Sequence, residues 1–128
     1  MRVLITGGTG FIGYHTALEL VAHGHEVRLL VRDPAKAARL YGPSTPDFVK
    51  GDIADTGAMR KALKGCDALV HTAAMVSTDK KDADLVYRTN VDGTRNALGQ
   101  GVELGLDKII HVSSVTAIFD RKARRLDE

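Results

Sequence analysis

The first thirteen residues, MRVLITGGTGFIG, run from a short apolar strand directly into a turn crowded with glycine. Val3, Leu4 and Ile5 suit a strand buried on both faces. Glycines at 7, 8, 10 and 13 follow, and the apolar spacing then becomes helical. A turn without Cβ atoms lets main-chain N–H groups approach an anion, and the helix it opens directs its positive end to the same place. Strand, glycine turn and helix in this order are the setting that a dinucleotide fingerprint requires. Gly8, Gly10 and Gly13 meet the spacing G-x-G-x-x-G, and Gly7, Gly10 and Gly13 meet T-G-x-x-G-x-x-G. The simpler account is a tight turn packing a helix closely on a strand.

The same alternation continues along the chain. Apolar runs predict strands over 2–6, 26–31, 47–50, 68–72 and 108–113. Helical patterns over 10–23, 34–40, 56–64 and 81–104 separate them, the first with Ile12, Thr16, Ala17 and Leu20 as its inward stripe. Pro34 lies in a first turn, and Asp55 or Thr56 caps the third helix. Strands joined by helices imply an α/β fold: a doubly wound parallel sheet in the order 3-2-1-4-5, with helices on both faces and the ligand at the carboxyl edge beside the first strand.

Length and composition narrow the function. The 128 residues suffice for one domain, 1–128, and a formal net charge of +2 points to no nucleic-acid partner. The basic run Arg121, Lys122, Arg124 and Arg125 reads as a solvated terminus. No apolar stretch is long enough for a membrane span or a signal peptide, so a cytoplasmic location is expected. Cys66 stands alone and reads as a small core or boundary residue. No metal-ligand spacing is present.

The strand ends hold the remaining candidates. The second predicted strand ends Leu30, Val31, Arg32, Asp33, about where such a fold meets the adenosine ribose. With Val31 at the usual acid position, Arg32 can pair with a 2′-phosphate, which favours NADP; Arg39 can add charge. Asp33 as a ribose ligand is the NAD alternative. Asp52 and Ile53 offer a carboxylate and an aliphatic face to an adenine, or form a routine loop. Ala73 and Ala74 leave room for close approach. His71 and His111 lie in apolar strands and read as packed core histidines. Asn90, in mid-helix, suggests an amide bonded to neighbouring backbone. Ser113 and Ser114 end the fifth strand, where a hydroxyl could meet a substrate carbonyl or cap local backbone.

Taken together, TGGTGFIG, VRDP, GDI, HTAA, YRTNVDGTRNAL and HVSS resemble an extended short-chain dehydrogenase/reductase of the NAD-dependent epimerase/dehydratase type, over nearly the whole chain. VRDP is similar to the branch of dihydroflavonol reductases and related NADPH-dependent carbonyl reductases. The resemblance implies a Rossmann fold. It assigns Gly7, Gly10 and Gly13, with Phe11 and Ile12, to the pyrophosphate. It assigns Arg32 to the 2′-phosphate, Asp52 and Ile53 to the adenine, and Ala73 and Ala74 to the loop after the fourth strand. Asn90 matches the asparagine of the fourth helix, and Ser114 the active-site hydroxyl.

One part of the family pattern is missing. Its catalytic tyrosine is followed four residues later by lysine, on the helix after the fifth strand. Here Tyr14, Tyr41 and Tyr87 are followed at that spacing by Leu18, Thr45 and Val91. The chain thus resembles the amino-terminal half of such an enzyme, catalytically incomplete and without the C-terminal substrate region. Asp127 and Glu128 resemble the acidic pair upstream of the missing helix. Self-association through the bare fifth strand is expected. The alternative is a non-catalytic module that senses NADP.

Overall fold

A computed structural model describes residues 1–117. The basic run at 121–125 and the acidic pair at 127–128 lie outside the described residues. Five parallel strands form one sheet: β1 (Arg2–Thr6), β2 (Glu26–Val31), β3 (Asp47–Lys50), β4 (Ala68–His71) and β5 (Lys108–His111). Their order is β3-β2-β1-β4-β5, as the alternation predicts. The helices are α1 (Phe11–Ala22), α2 (Pro34–Tyr41), α3 (Thr56–Leu63), α4 (Ala83–Tyr87) and α5 (Gly93–Glu103). The predicted helix over 81–104 divides: a π-helical turn, Arg88–Asp92, joins α4 to α5.

Side chains alternate across the sheet and so build two cores. Val3, Ile5, Val27, Leu29, Val31 and Val70 face α1 and α2, where Ala17, Ala37 and Tyr41 meet them. Leu4, Leu30 and Leu69 face the other way, onto Met59, Ala62 and Leu63 of α3 and Ala97 of α5. Full burial of an aliphatic side chain contributes about 2 kcal/mol, and Leu4, Ile5, Leu29 and Leu69 are all fully buried. Local signals start the helices. The Asp33 carboxylate accepts from the Lys36 N–H at 3.1 Å, with Pro34 next to it, and Asp55 accepts from the Ala58 N–H at 3.1 Å.

Two packing expectations need correction. Ile12 is exposed, and the buried residues of α1 are Gly13 and Ala17. These small residues let the helix lie close to the sheet, which turns Ile12 outward; Leu20 and Tyr14 pack only partly against the core. His111 is exposed, unlike His71. It lies on β5, the outer strand among the described residues, where Ile110 and, just beyond the strand, Val112 are also exposed. Cys66 is half-buried, its thiol directed at the Ala62 carbonyl, and burial pushes its pKa up.

Candidate functional site

The turn after β1 owes its shape to missing side chains. Gly7 has φ 75°, a conformation that strains any residue with a Cβ. A Cβ on Gly13 would collide with the Gly7 carbonyl and would reach the Thr72 hydroxyl at 2.7 Å. Without those atoms α1 begins directly over the carboxyl end of β1. The Gly10 N–H donates to the Gly7 carbonyl at 2.9 Å and closes the turn. The first helical N–H groups, those of Phe11, Ile12 and Gly13, have no carbonyl one turn back in the helix, so the helix presents them as anion donors.

A cleft of about 230 Å³ opens at this point, along the carboxyl edge of the sheet. Gly7, Thr9 and Gly10 line one part of it, Leu30, Val31, Arg32 and Lys36 another, and Gly51, Asp52 and Ile53 a third. Thr72, Ala73, Ala74 and Thr89 complete the wall. The structure thus brings Gly7, Gly10, Arg32, Asp52, Ile53, Ala73 and Ala74 to one cavity. Phe11 and Ile12 lie on the outer face of α1, where their side chains are 79% and 51% exposed, so only their main chains face the turn. Gly13 sits behind the turn and sets its spacing.

The polar wall is arranged by neighbours. Asp33 is occupied as the cap of α2, while Arg32 extends beside Asp52 at 3.9 Å, both exposed. Lys36, in the first turn of α2, lines the cleft; Arg39, exposed farther along the helix, is not among its lining residues. The Asp52 carboxylate accepts from the Ala54 N–H at 2.9 Å. Ile53 is held from below: the Asn96 amide donates to its carbonyl at 2.7 Å, and its side chain fills the space that a Cβ on Gly93 would occupy.

Beyond β4, Asn90 fixes the loop that carries Ala73 and Ala74. Its amide accepts from the Met75 N–H and donates to the Met75 carbonyl, both at 2.8 Å, as its mid-helix position suggests. Asn90 projects from the π-helical turn. His71 is fully buried and does not line the cleft. Its ring nitrogens meet the hydroxyls of Thr6 at 2.6 Å and Thr94 at 3.0 Å. Burial, and then the nearby His111 ring, push its pKa down to about 4. Ser114 is exposed beyond β5 and is not among the residues that line the cleft; its hydroxyl accepts from the Thr116 hydroxyl at 2.9 Å. Sequence reasoning missed Thr9, Lys36 and Thr89. Lys36 follows Arg32 by four residues in VRDPAK, which is a readable signal; the threonines carry none.

A glycine turn at a helix start, a cation-bearing wall and small residues after β4, at the carboxyl edge of a doubly wound α/β sheet, stand where such folds hold their ligands. The comparisons with known proteins make this specific. The profile of the 3-beta hydroxysteroid dehydrogenase/isomerase family matches residues 4–127, and the chain belongs to that family, within the extended short-chain dehydrogenases/reductases. A protein of Synechocystis sp., provisionally named dihydroflavonol 4-reductase, is 40% identical over 89% of this chain and 33% of its own length. Cinnamoyl-CoA reductase 1 of Oryza sativa subsp. japonica is 35% identical over 98% of this chain and 38% of its own length. The chain therefore spans about a third of the curated relatives it matches. Among solved structures, the UDP-glucose 4-epimerase of Thermus thermophilus in complex with NAD superposes over the whole chain and 43% of its own, with a TM-score of 0.83 and 30% identity. Among the described residues, no group of His, Cys, Asp and Glu could hold a metal ion, and no helix is long and apolar enough to cross a membrane.

Proposed function

We propose that this chain binds NADP(H) and forms the cofactor-binding part of a carbonyl reductase or sugar-nucleotide epimerase/dehydratase. The observation that carries this reading is the convergence of Arg32 and Lys36 on the cleft that starts at the glycine turn. A 2′-phosphate fits two cations, and Asp33, which accepts from the Lys36 N–H as the cap of α2, is not among the residues that line the cleft. The glycine cradle, which added Cβ atoms would fill, suits the pyrophosphate.

Each residue then has a task. The N–H groups of Phe11 and Ile12 hold the pyrophosphate. Arg32 and Lys36 hold the 2′-phosphate, Asp52 accepts from the adenine amino group, and Ile53 covers the adenine ring. Ala73 and Ala74 admit the nicotinamide riboside. When bound, the nicotinamide supplies hydride transfer. Ser114 is assigned to the substrate carbonyl, and proton transfer to a tyrosine–lysine pair outside these 128 residues.

Calorimetric titration with NADPH and NADH tests the reading. NADPH should bind about tenfold or more tightly than NADH, and Arg32→Ala should remove most of the difference. Equal or tighter binding of NADH refutes the role of Arg32. Failure of both ligands to bind refutes the site.

A further inference from the structure

Tyr41 ends α2 and belongs to neither the glycine fingerprint nor the cleft wall. It is 7% exposed, and its ring lies tilted against Tyr14 of α1, with 5.0 Å between centroids. Its hydroxyl donates to the Gly8 carbonyl at 2.6 Å. Burial pushes the phenol up to about 12, so it remains a donor at neutral pH.

The choice of acceptor matters. Gly8 lies inside the turn and packs against β2 so closely that a Cβ there would come within 2.7 Å of the Leu29 side chain. The described residues contain no cis peptide bond. In a trans peptide the carbonyl and the following N–H point in opposite directions. A Gly8 carbonyl turned inward to Tyr41 therefore turns the Thr9 N–H outward, and Thr9 lines the cleft. Glycine at position 8 leaves this peptide easy to rotate. Rotated, it would present carbonyl lone pairs to a phosphate.

We propose that Tyr41 is a positioning residue for dinucleotide binding: its hydroxyl fixes the polarity of the Gly8–Thr9 peptide, so that an N–H and not a carbonyl faces the pyrophosphate. This rests on the reading of the cleft as a dinucleotide site. The pin comes from a helix outside the fingerprint. It couples the fold of α2, which carries Lys36, to the donor geometry of the turn.

NMR titration of the purified chain separates the possibilities. The probes are ADP-ribose 2′-phosphate and 2′-AMP, which shares the adenosine 2′-phosphate but lacks the pyrophosphate. Tyr41→Phe keeps the ring and removes only its oxygen. It should weaken ADP-ribose 2′-phosphate roughly tenfold and leave 2′-AMP unchanged. In the wild-type chain the Thr9 amide resonance should move on adding ADP-ribose 2′-phosphate. Tyr14→Phe, which removes the hydroxyl of the adjoining ring, should alter neither affinity. An equal loss for both probes, no loss for either, a static Thr9 amide, or the same selective loss in Tyr14→Phe overturns the proposal. If wild type binds 2′-AMP but not ADP-ribose 2′-phosphate, or binds neither, the dinucleotide reading falls and the role of Tyr41 falls with it.

Discussion

Acidification should weaken this fold through His71. The imidazole is fully buried at the end of β4, and two hydroxyls satisfy its neutral form. Its pKa falls from 6.5 to about 4, through burial first and then the His111 ring. The folded state keeps the ring neutral, while the unfolded chain takes up a proton as soon as the pH falls below 6.5. Between these values the unfolded state binds more protons. Stability is therefore complete above the unfolded pKa and is lost as the pH falls toward the folded one. At about 1.36 kcal/mol per pH unit, the loss comes to about 3 kcal/mol, a large share of the ~5–15 kcal/mol that holds a typical domain together. Two measurements check this. The ring resonances of His71 should keep their neutral-form shifts down to about pH 5. Urea unfolding of wild type and His71→Gln across the same range should show a smaller acid loss in the variant, because its amide does not titrate and the carboxylates act alike in both chains. A His71 midpoint near the ordinary histidine value, or identical acid losses in the two proteins, would refute the reasoning.

Other expected outcomes follow from single contacts. Gly13→Ala should destabilise the chain by about 2 kcal/mol or more, since its methyl meets the Gly7 carbonyl and the Thr72 hydroxyl; thermal unfolding reads this directly. Asn90→Leu should lose about 1–3 kcal/mol by leaving both Met75 main-chain groups unpaired, and hydrogen exchange at Met75 should accelerate. Exposure of Ile110 on β5 and of Val112 just after it should make the purified chain self-associate; sedimentation velocity showing only monomer at high concentration would count against this.

The strands were readable because buried parallel strands leave continuous apolar runs, and Val3 to Ile5 or Leu29 to Val31 admit little else. The helix stops were equally plain, as at Gly24 and Gly65, both with positive φ. Much of the cleft was readable from strand ends alone. The stripe of α1 was not, because periodicity weights large residues such as Ile12, whereas contact with the sheet goes through Gly13 and Ala17. His111 failed for a related reason: its strand is apolar by composition but lies at the outer side of the sheet. Tyr41 and Thr72 reach the turn from 33 and 66 residues away from their acceptors, Gly8 and Thr6, a distance that no local pattern spans.

The wide turn Arg88–Asp92 makes the length of its helix non-negotiable. Within the turn, Asn90 grips the Met75 main chain; downstream, Thr94 meets His71 and Asn96 meets Ile53. Each residue added to or removed from an α-helix rotates the remainder of the helix by about 100°. A single-codon deletion between Asn90 and Thr94 would satisfy one set of partners only by swinging the other away. Insertions and deletions there should be purged even where every individual side chain tolerates replacement.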